Sequence, residues 1–155
     1  MIKGLYETHL NVENLDRSIE FYGKTLGLEQ CYFEEQRRAA FFWIGKPKQS
    51  MLGLWETPKH QVAISHFAFE IDPDWILNES ISFLKKRNLS FRNFLNDGTE
   101  RPMVFAWMPA VSIYFDDPDG HSLEFIGILE GKSRPENGIL SYEKWKEIEE
   151  NDARS

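Results

Sequence analysis

The sequence predicts an α+β protein made of two tandem βαβββ modules and a short C-terminal helix. Three observations support this class: strand-like and helix-like patterns follow each other in that order, the two halves repeat each other weakly, and a hairpin signal closes the second half. We assign module one to about residues 1–58 and module two to about 63–130, within one domain spanning 1–130. Residues 131–155 are predicted to form a linker and the C-terminal helix.

The first module begins with a strand in which apolar and polar residues alternate. Leu10 and Val12 lie on one face of this strand, whereas His9 lies on the other. A helix then begins after Asn14, its predicted N-cap, and ends near Thr25, with Gly27 as the C-terminal stop. Three strand-like segments complete the module: 29–33, 39–44 and 51–55.

The second module repeats this order with weaker signals. A strand of alternating residues begins at Ser65, and Asp72 is the predicted N-cap of one continuous helix. The following segments are, in order, a weak strand, an irregular loop and the two strands of a hairpin: 90–94, 95–109, 111–115 and 122–128. The turn Asp116–Gly120 joins the hairpin strands, and it contains the Asp, Pro and Gly residues that tight turns favour.

Composition and charge argue against several classes of partner. The formal net charge of -7 and the pI of about 5.1 disfavour binding to nucleic acid or to anionic membrane surfaces. No apolar run approaches the roughly 20 residues that a membrane span needs. Cys31 is the only cysteine, so no internal disulfide forms, which is consistent with a reducing compartment. We therefore expect a cytoplasmic protein that acts on a small molecule.

Two histidines and one glutamate form a candidate metal site. His9 and His66 occupy equivalent positions in the two modules, and Glu124 lies on the last strand, each on the face directed away from the helices. Imidazole and carboxylate donors suit Mn(II), Ni(II), Zn(II) or Fe(II), and three protein ligands leave positions open for substrate or water. His60 and His121 are expected to be exposed or structural, because one lies in a polar linker and the other has the wrong strand parity.

Three segments of the chain resemble a known family. His9–Tyr22, Ser65–Phe69 and Tyr114–Phe125 are similar to signatures of the vicinal oxygen chelate superfamily. This superfamily includes glyoxalase I, extradiol dioxygenases, methylmalonyl-CoA epimerase, fosfomycin-resistance thiol transferases and bleomycin-resistance proteins. The resemblance covers about residues 1–129 and implies a curved mixed sheet around a metal-binding cleft.

The resemblance also implies a ligand set and a type of chemistry. Its metal ligands correspond to His9, His66 and Glu124, which would hold one divalent ion that polarises an oxygen-bearing substrate. Lyase, isomerase or thiol-transferase chemistry of the glyoxalase or fosfomycin-resistance kind is expected, the last with a low-molecular-weight thiol as a second cofactor. Glyoxalase I and the epimerases add a fourth ligand, for which Gly53 stands at the matching position and Glu56 at the opposite parity. Three ligands are therefore expected, with Glu56 as the alternative fourth.

Further residues are predicted to act in catalysis or to contact the substrate. We expect Glu124 and Tyr114 to be catalytic. The predicted substrate-binding residues lie on the strands of the two modules, in the loop before the hairpin and beyond the last strand: Asn11, Ser112, Tyr114, Trp107 and Arg134. Arg134 is a candidate contact for an anionic group, and Trp107 is either an aromatic wall of the pocket or a core or dimer contact.

Two other functions remain open at this point. One is ring cleavage by an Fe(II)-dependent extradiol dioxygenase, which uses the same kind of ligand set. The other is a metal-free drug-binding protein of the bleomycin-resistance type. A homodimer is also expected, because many members of the superfamily pair or swap modules.

Overall fold

The structure, a computed structural model that describes residues 1–154, contains ten strands and four α-helices within these residues. They fall into two units, one comprising Met1–Ser65 with Asp117–His121 and the other His66–Asp116 with the chain from Ser122 onward. Each unit contains its own mixed β-sheet. The α+β class and the tandem arrangement are therefore confirmed, with the expected mixed sheet present as two sheets and with one strand more than βαβββ in the second module.

The first unit contains one βαβββ module. Its elements, in chain order, are β1 (Glu7–Val12), α1 (Leu15–Ile19), a π-helical continuation (Glu20–Thr25), β2 (Glu29–Glu34), β3 (Ala39–Ile44), β4 (Ser50–Glu56) and a short 3₁₀ turn (Lys59–Gln61). The strand order is β1-β4-β3-β2, with β1 parallel to β4 and the other pairs antiparallel. Because α1 packs against β3 and β4, it covers one face of the sheet and leaves the His9 face free of helix.

The helix formed by α1 and its π-helical continuation is bounded by the predicted residues. The Asn14 side chain accepts a hydrogen bond from the backbone N–H of Arg17 at 2.9 Å, which satisfies one of the free donors of the first turn. Gly27 has a φ of 82°, a left-handed conformation that glycine adopts without a steric penalty. The N-cap and the C-terminal stop of this helix are thus confirmed.

The hairpin turn packs within the first unit through a buried carboxylate. The Tyr22 hydroxyl donates to Asp117 Oδ2 at 2.8 Å, and the backbone N–H groups of Asp119 and His121 donate to Asp117 Oδ1. Burial raises the pKa of Asp117 above its ordinary value, although these hydrogen bonds oppose the rise. The turn is therefore anchored to the first unit by the buried Asp117 side chain.

The second unit contains the other module and the C-terminal segment. Its elements, in chain order, are β5 (His66–Glu70), α2 (Pro73–Asn78), α3 (Ser80–Lys86), β6 (Phe91–Arg92), β7 (Met103–Phe105), β8 (Ala110–Asp116), β9 (Ser122–Ile128), a 3₁₀ turn (Pro135–Asn137), β10 (Ile139–Ser141) and α4 (Tyr142–Ala153). The strand order is β10-β7-β8-β9-β5, and β6 pairs with β8. The parallel pair β5–β9 repeats the parallel pair β1–β4 of the first unit.

Two predictions about the second module are corrected by the structure. The single helix expected after Asp72 is divided at Glu79, whose φ of -121° interrupts the helical conformation. The loop expected at 95–109 contains β7, and the linker beyond residue 130 contains β10. These two strands pair with each other and have three residues each, which is too short for an alternating pattern to be detected.

The C-terminal helix is present as predicted. The Ser141 side chain accepts from the backbone N–H of Lys144, and Trp145 is buried where α4 packs near β7 and β10. Within residues 1–154, none of the helices combines the length and the hydrophobicity required to cross a membrane.

Candidate metal site

His66 is held in a defined orientation by the last strand of its sheet. The parallel register places His66 opposite Ser122 and Ala68 opposite Glu124. His66 Nδ1 lies 2.9 Å from the carbonyl oxygen of Ser122. Since a carbonyl only accepts hydrogen bonds, Nδ1 carries the proton and donates it. In the neutral imidazole, Nε2 therefore carries the lone pair that a metal ion requires.

Glu124 places a buried carboxylate beside that lone pair. The residue is 4% exposed, and its Oε2 atom lies 3.4 Å from His66 Nε2. Its Oε1 atom is buried and has no hydrogen-bond partner. An unpartnered buried carboxylate oxygen is costly, and two acceptors do not stabilise each other. The arrangement thus calls for a cation, either a proton on His66 Nε2 or a metal ion bound by both groups.

Two hydroxyl groups on β8 complete the polar surroundings of Glu124. Tyr114 pairs with Glu124 across the strands, and its ring stacks on His66 with 5.7 Å between ring centroids. Burial, and next the charge of Glu124, raise the pKa of Tyr114 above its ordinary value, so the phenol remains a hydrogen-bond donor. Ser112 lies two residues earlier on the same strand, is fully buried and has a hydroxyl oxygen without a partner.

A cavity of about 300 Å³ opens beside His66 and contains a residue that the sequence analysis missed. Arg92 donates from its guanidinium to Ser122 Oγ at 2.8 Å and to Asp116 Oδ1 at 2.9 Å. The lining residues come from β5, β6, the following loop, β8 and β9: His66, Arg92, Asn93, Phe94, Asn96, Tyr114 and Ser122. Since β6 has only two residues, no sequence pattern distinguishes Arg92 from the other basic residues.

His9 lies in the first unit, beside a glycine of the neighbouring strand β4. The parallel register places His9 opposite Gly53. A Cβ atom added to Gly53 would lie 2.7 Å from His9 Cδ2 and 3.0 Å from Phe41 Cε1, both closer than ordinary packing allows. The His9 ring also packs against Trp55, with 5.8 Å between centroids, and its Nε2 atom lies 3.6 Å from Glu7 Oε2. Gly53 therefore makes room for this histidine and leaves no side chain at the fourth-ligand position.

Glu56, the alternative fourth ligand, is engaged elsewhere in the first unit. Its carboxylate accepts from the Arg38 guanidinium at 3.0 and 3.1 Å and from the backbone N–H of Leu15 at 2.8 Å. The hydrogen bonds from Arg38 are the main reason why the pKa of Glu56 is lowered. This carboxylate thus fastens the start of α1 to the sheet.

The remaining predicted substrate contacts are Arg134, Trp107 and Asn11, each described here within its own unit. Arg134 is paired with Glu149 at 2.9 Å and with Asp152, both on α4. Trp107 is exposed in the turn between β7 and β8, and the carbonyl of Asn11 accepts from His121 in the first unit. The guanidinium of Arg134 is therefore occupied by the C-terminal helix.

The second unit thus brings together part of the predicted site: His66, Glu124, Tyr114 and Ser112. Within residues 1–154, His, Cys, Asp and Glu side chains form no group of three or more that is arranged to hold a metal ion. The three-ligand set that adds His9 stays a prediction.

Comparison with known proteins assigns a family to this arrangement. A family model described as the Glyoxalase/Bleomycin resistance protein/Dioxygenase superfamily matches residues 4–125. The chain is 28% identical over 149 residues to the metallothiol transferase FosB of Staphylococcus haemolyticus, which covers 85% of this chain and 89% of that protein.

Solved structures agree with this comparison. An integron cassette protein from the mobile metagenome of the Halifax Harbour sewage outfall is 34% identical, with a TM-score of 0.69 over 82% of this chain and all of that chain. The fosfomycin resistance protein FosX of Listeria monocytogenes, solved with Mn(II) and sulfate, is 25% identical, with a TM-score of 0.61 over 83% of this chain and 93% of that one.

The close approach of Gly53 to His9 yields a test. We expect Gly53→Ala to displace the His9 imidazole while the protein remains folded, because the added methyl group overlaps the ring. NMR spectra of the histidine side chains should show the His9 signals shifted more than those of His60. Gly4→Ala is the matched control, since no heavy atom lies within 4 Å of its Cβ position. Unchanged His9 signals in Gly53→Ala would contradict this interpretation.

Proposed function

Because this chain belongs to the Glyoxalase/Bleomycin resistance protein/Dioxygenase superfamily, we propose that it is an enzyme that binds one divalent metal ion through His66, Glu124 and His9. The observation that carries the proposal is the lone pair of His66 Nε2 beside a buried carboxylate with one unpartnered oxygen. A divalent cation satisfies both groups at once. The relative solved with Mn(II) makes Mn(II) the first ion to test, with Ni(II), Zn(II) and Fe(II) as the other candidates.

The residues present fit such an ion. One imidazole nitrogen and one carboxylate oxygen belong to the donor types that these metals prefer. The hydrogen bond from His66 Nδ1 to the Ser122 carbonyl selects the correct tautomer, as is usual for histidine ligands. When bound, the ion would act as a Lewis acid that polarises a substrate oxygen. His9 is the proposed third donor, with Gly53 leaving space for its ring.

The surrounding residues support a small anionic substrate that carries a reactive oxygen. Arg92 supplies a positive charge in the cavity beside His66, and this arginine is better placed in that role than Arg134, which α4 engages. Tyr114 keeps its proton and donates a hydrogen bond to an oxygen that gains negative charge. Catalysis would thus depend on Glu124 as ligand and on Tyr114 as hydrogen-bond donor.

Thiol transfer or a glyoxalase-type lyase or isomerase reaction is the chemistry that the relatives favour. In thiol transfer, the sulfur of a small thiol bonds to a substrate carbon, the C–O bond at that carbon breaks, and the freed oxygen takes the thiol proton. Arg92 would hold the anionic group during this step, while Tyr114 faces the oxygen.

Two alternatives follow from the same geometry. With Fe(II), the same donors suit an extradiol dioxygenase. A metal-free binding protein is the second alternative, because the 3.4 Å separation of His66 Nε2 and Glu124 Oε2 also fits an ion pair with protonated His66. The homodimer and the cytoplasmic location belong to the proposal as well.

Metal binding is the first prediction of this proposal. We expect the parent protein to bind Mn(II), and we expect His66→Ala and Glu124→Gln each to weaken binding at least about tenfold, since each removes or neutralises a donor. Isothermal titration calorimetry measures these affinities. His60→Ala is the control, because His60 is exposed in the linker between the modules. Equal affinities in all four proteins would rule out the site.

The reaction is tested with a small substrate panel. We expect the metal-loaded protein to consume either fosfomycin with cysteine or glutathione, or the hemithioacetal of methylglyoxal and glutathione. Tyr114→Phe should lower kcat/KM by about 10- to 100-fold, because a hydrogen bond to a charged oxygen is lost. Oxygen uptake with catechol and Fe(II) would instead identify a dioxygenase. Ligand binding without metal or turnover would identify the binding protein.

Mixing two variants that each lack one metal ligand tests whether His9 and His66 of one site come from the same chain. If His9 of one copy joins His66 and Glu124 of a second copy, a mixture of His9→Ala and His66→Ala chains refolded together regains part of the metal binding. If all three donors come from one chain, every site in the mixture lacks a ligand and no binding returns. We expect recovery, with refolded single variants as controls. A monomer in size-exclusion chromatography would contradict the homodimer.

A further inference from the structure

His121 is a buried histidine whose two ring nitrogens both bond to backbone groups. It is fully buried, its Nε2 atom lies 2.8 Å from the carbonyl oxygen of Asn11, and its Nδ1 atom accepts from the backbone N–H of Ser65 at 3.1 Å. Because a carbonyl only accepts, Nε2 carries the proton and the ring is the neutral Nε2–H tautomer. The imidazole thus connects two backbone segments of the first unit that are 54 residues apart in the sequence.

Both of these segments lead directly to proposed metal ligands. Asn11 lies on β1 two residues after His9, on the same face of the strand. Ser65 immediately precedes His66, the first residue of β5. A side chain that bonds to both backbone segments therefore constrains the chain close to both histidines.

Ser122, the residue after His121, holds the His66 side chain directly. The Ser122 carbonyl accepts a hydrogen bond from His66 Nδ1. His121 and Ser122, which are consecutive, therefore bond to Ser65 and His66, which are also consecutive. His121 is itself fixed, since its backbone N–H donates to Asp117 Oδ1 at 2.8 Å and its carbonyl accepts from the Asp117 N–H at 3.1 Å. The turn thus holds the His121 ring that bonds to Ser65, the residue directly before β5.

We infer that His121 is a positioning residue that sets the geometry of the metal ligands, an inference that rests on the proposed metal site. The strand parity of His121 in the sequence predicts only a structural or exposed histidine. A histidine that only filled the core would need its bulk but not both of its hydrogen bonds. Here each nitrogen has one partner, and each partner lies within two residues of a ligand.

Three variants separate the hydrogen-bonding role from bulk. His121→Leu keeps apolar volume and removes both hydrogen bonds. His121→Gln restores a donor and an acceptor on one side chain, and it is the conservative variant. If His121→Leu does not fold, His121→Asn replaces it, because its shorter side chain cannot span the two backbone groups. His60→Leu controls for loss of a histidine that lies outside this network.

Two measurements on folded protein test the inference. We expect His121→Leu to bind Mn(II) at least about tenfold more weakly than the parent, with His121→Gln recovering most of the affinity. In metal-free protein, NMR should show the His66 imidazole signals shifted in His121→Leu and near their parental positions in His121→Gln. Metal-free NMR does not depend on the metal site, so it reports on positioning by itself.

The outcomes distinguish this inference from the proposed function. Unchanged metal affinity together with unchanged His66 signals in folded His121→Leu, accompanied only by a lower Tm, would overturn the positioning role and leave the metal site intact. A parent protein that binds no divalent metal would overturn both. Weaker metal binding with shifted His66 signals, both rescued by glutamine, supports the inference.

Discussion

The buried carboxylate of Glu124 imposes the strongest physical constraint on this protein. A carboxylate loses its hydration on burial, and one of its oxygen atoms has gained no hydrogen bond in return. The neighbouring imidazole of His66 does not resolve this, because its proton is committed to the Ser122 carbonyl. The free energy of the site therefore depends on a positive charge at this point, and the parallel pairing of β5 with β9 is what holds the two groups together.

The two modules share one arrangement of a histidine on paired parallel strands, but the neighbouring residues differ. In each one, a histidine lies on the first strand, which pairs in parallel with the last strand of that module. In the second unit the strand opposite His66 supplies Glu124, two residues beyond the direct partner. In the first unit the strand opposite His9 supplies Gly53, whose missing side chain makes room for the ring. The sequence repeat therefore places a histidine on the first strand of both modules, whereas the residues on the paired strands differ.

Position, and not charge pairing, distinguishes Arg92, which lines the cavity, from the arginines that serve the fold. Arg38 and Arg134 are bound by carboxylates of α1 and its sheet or of α4, so their charges are used to fasten helices. Arg92 also pairs with Asp116, but it lines the cavity beside His66 and Tyr114. An anion that enters this cavity meets a guanidinium that is already held in place by Ser122, which reduces the entropy lost on binding.

The sequence by itself determined the α+β class, the module order, the N-caps of α1 and α4, and the placement of His9 and His66 on the first strands of the modules, because these features depend on local periodicity and on short-range capping. Only the tertiary structure located β7 and β10, divided the second helix at Glu79, and placed Arg92 beside His66. Those features arise from pairing between distant segments. The same holds for His121, whose bonds to Asn11 and Ser65 join residues that no periodic pattern connects. Local patterns therefore predicted the candidate metal-ligand residues. Long-range packing decided that a carboxylate oxygen of Glu124 has no hydrogen-bond partner and that a positive charge is needed beside it.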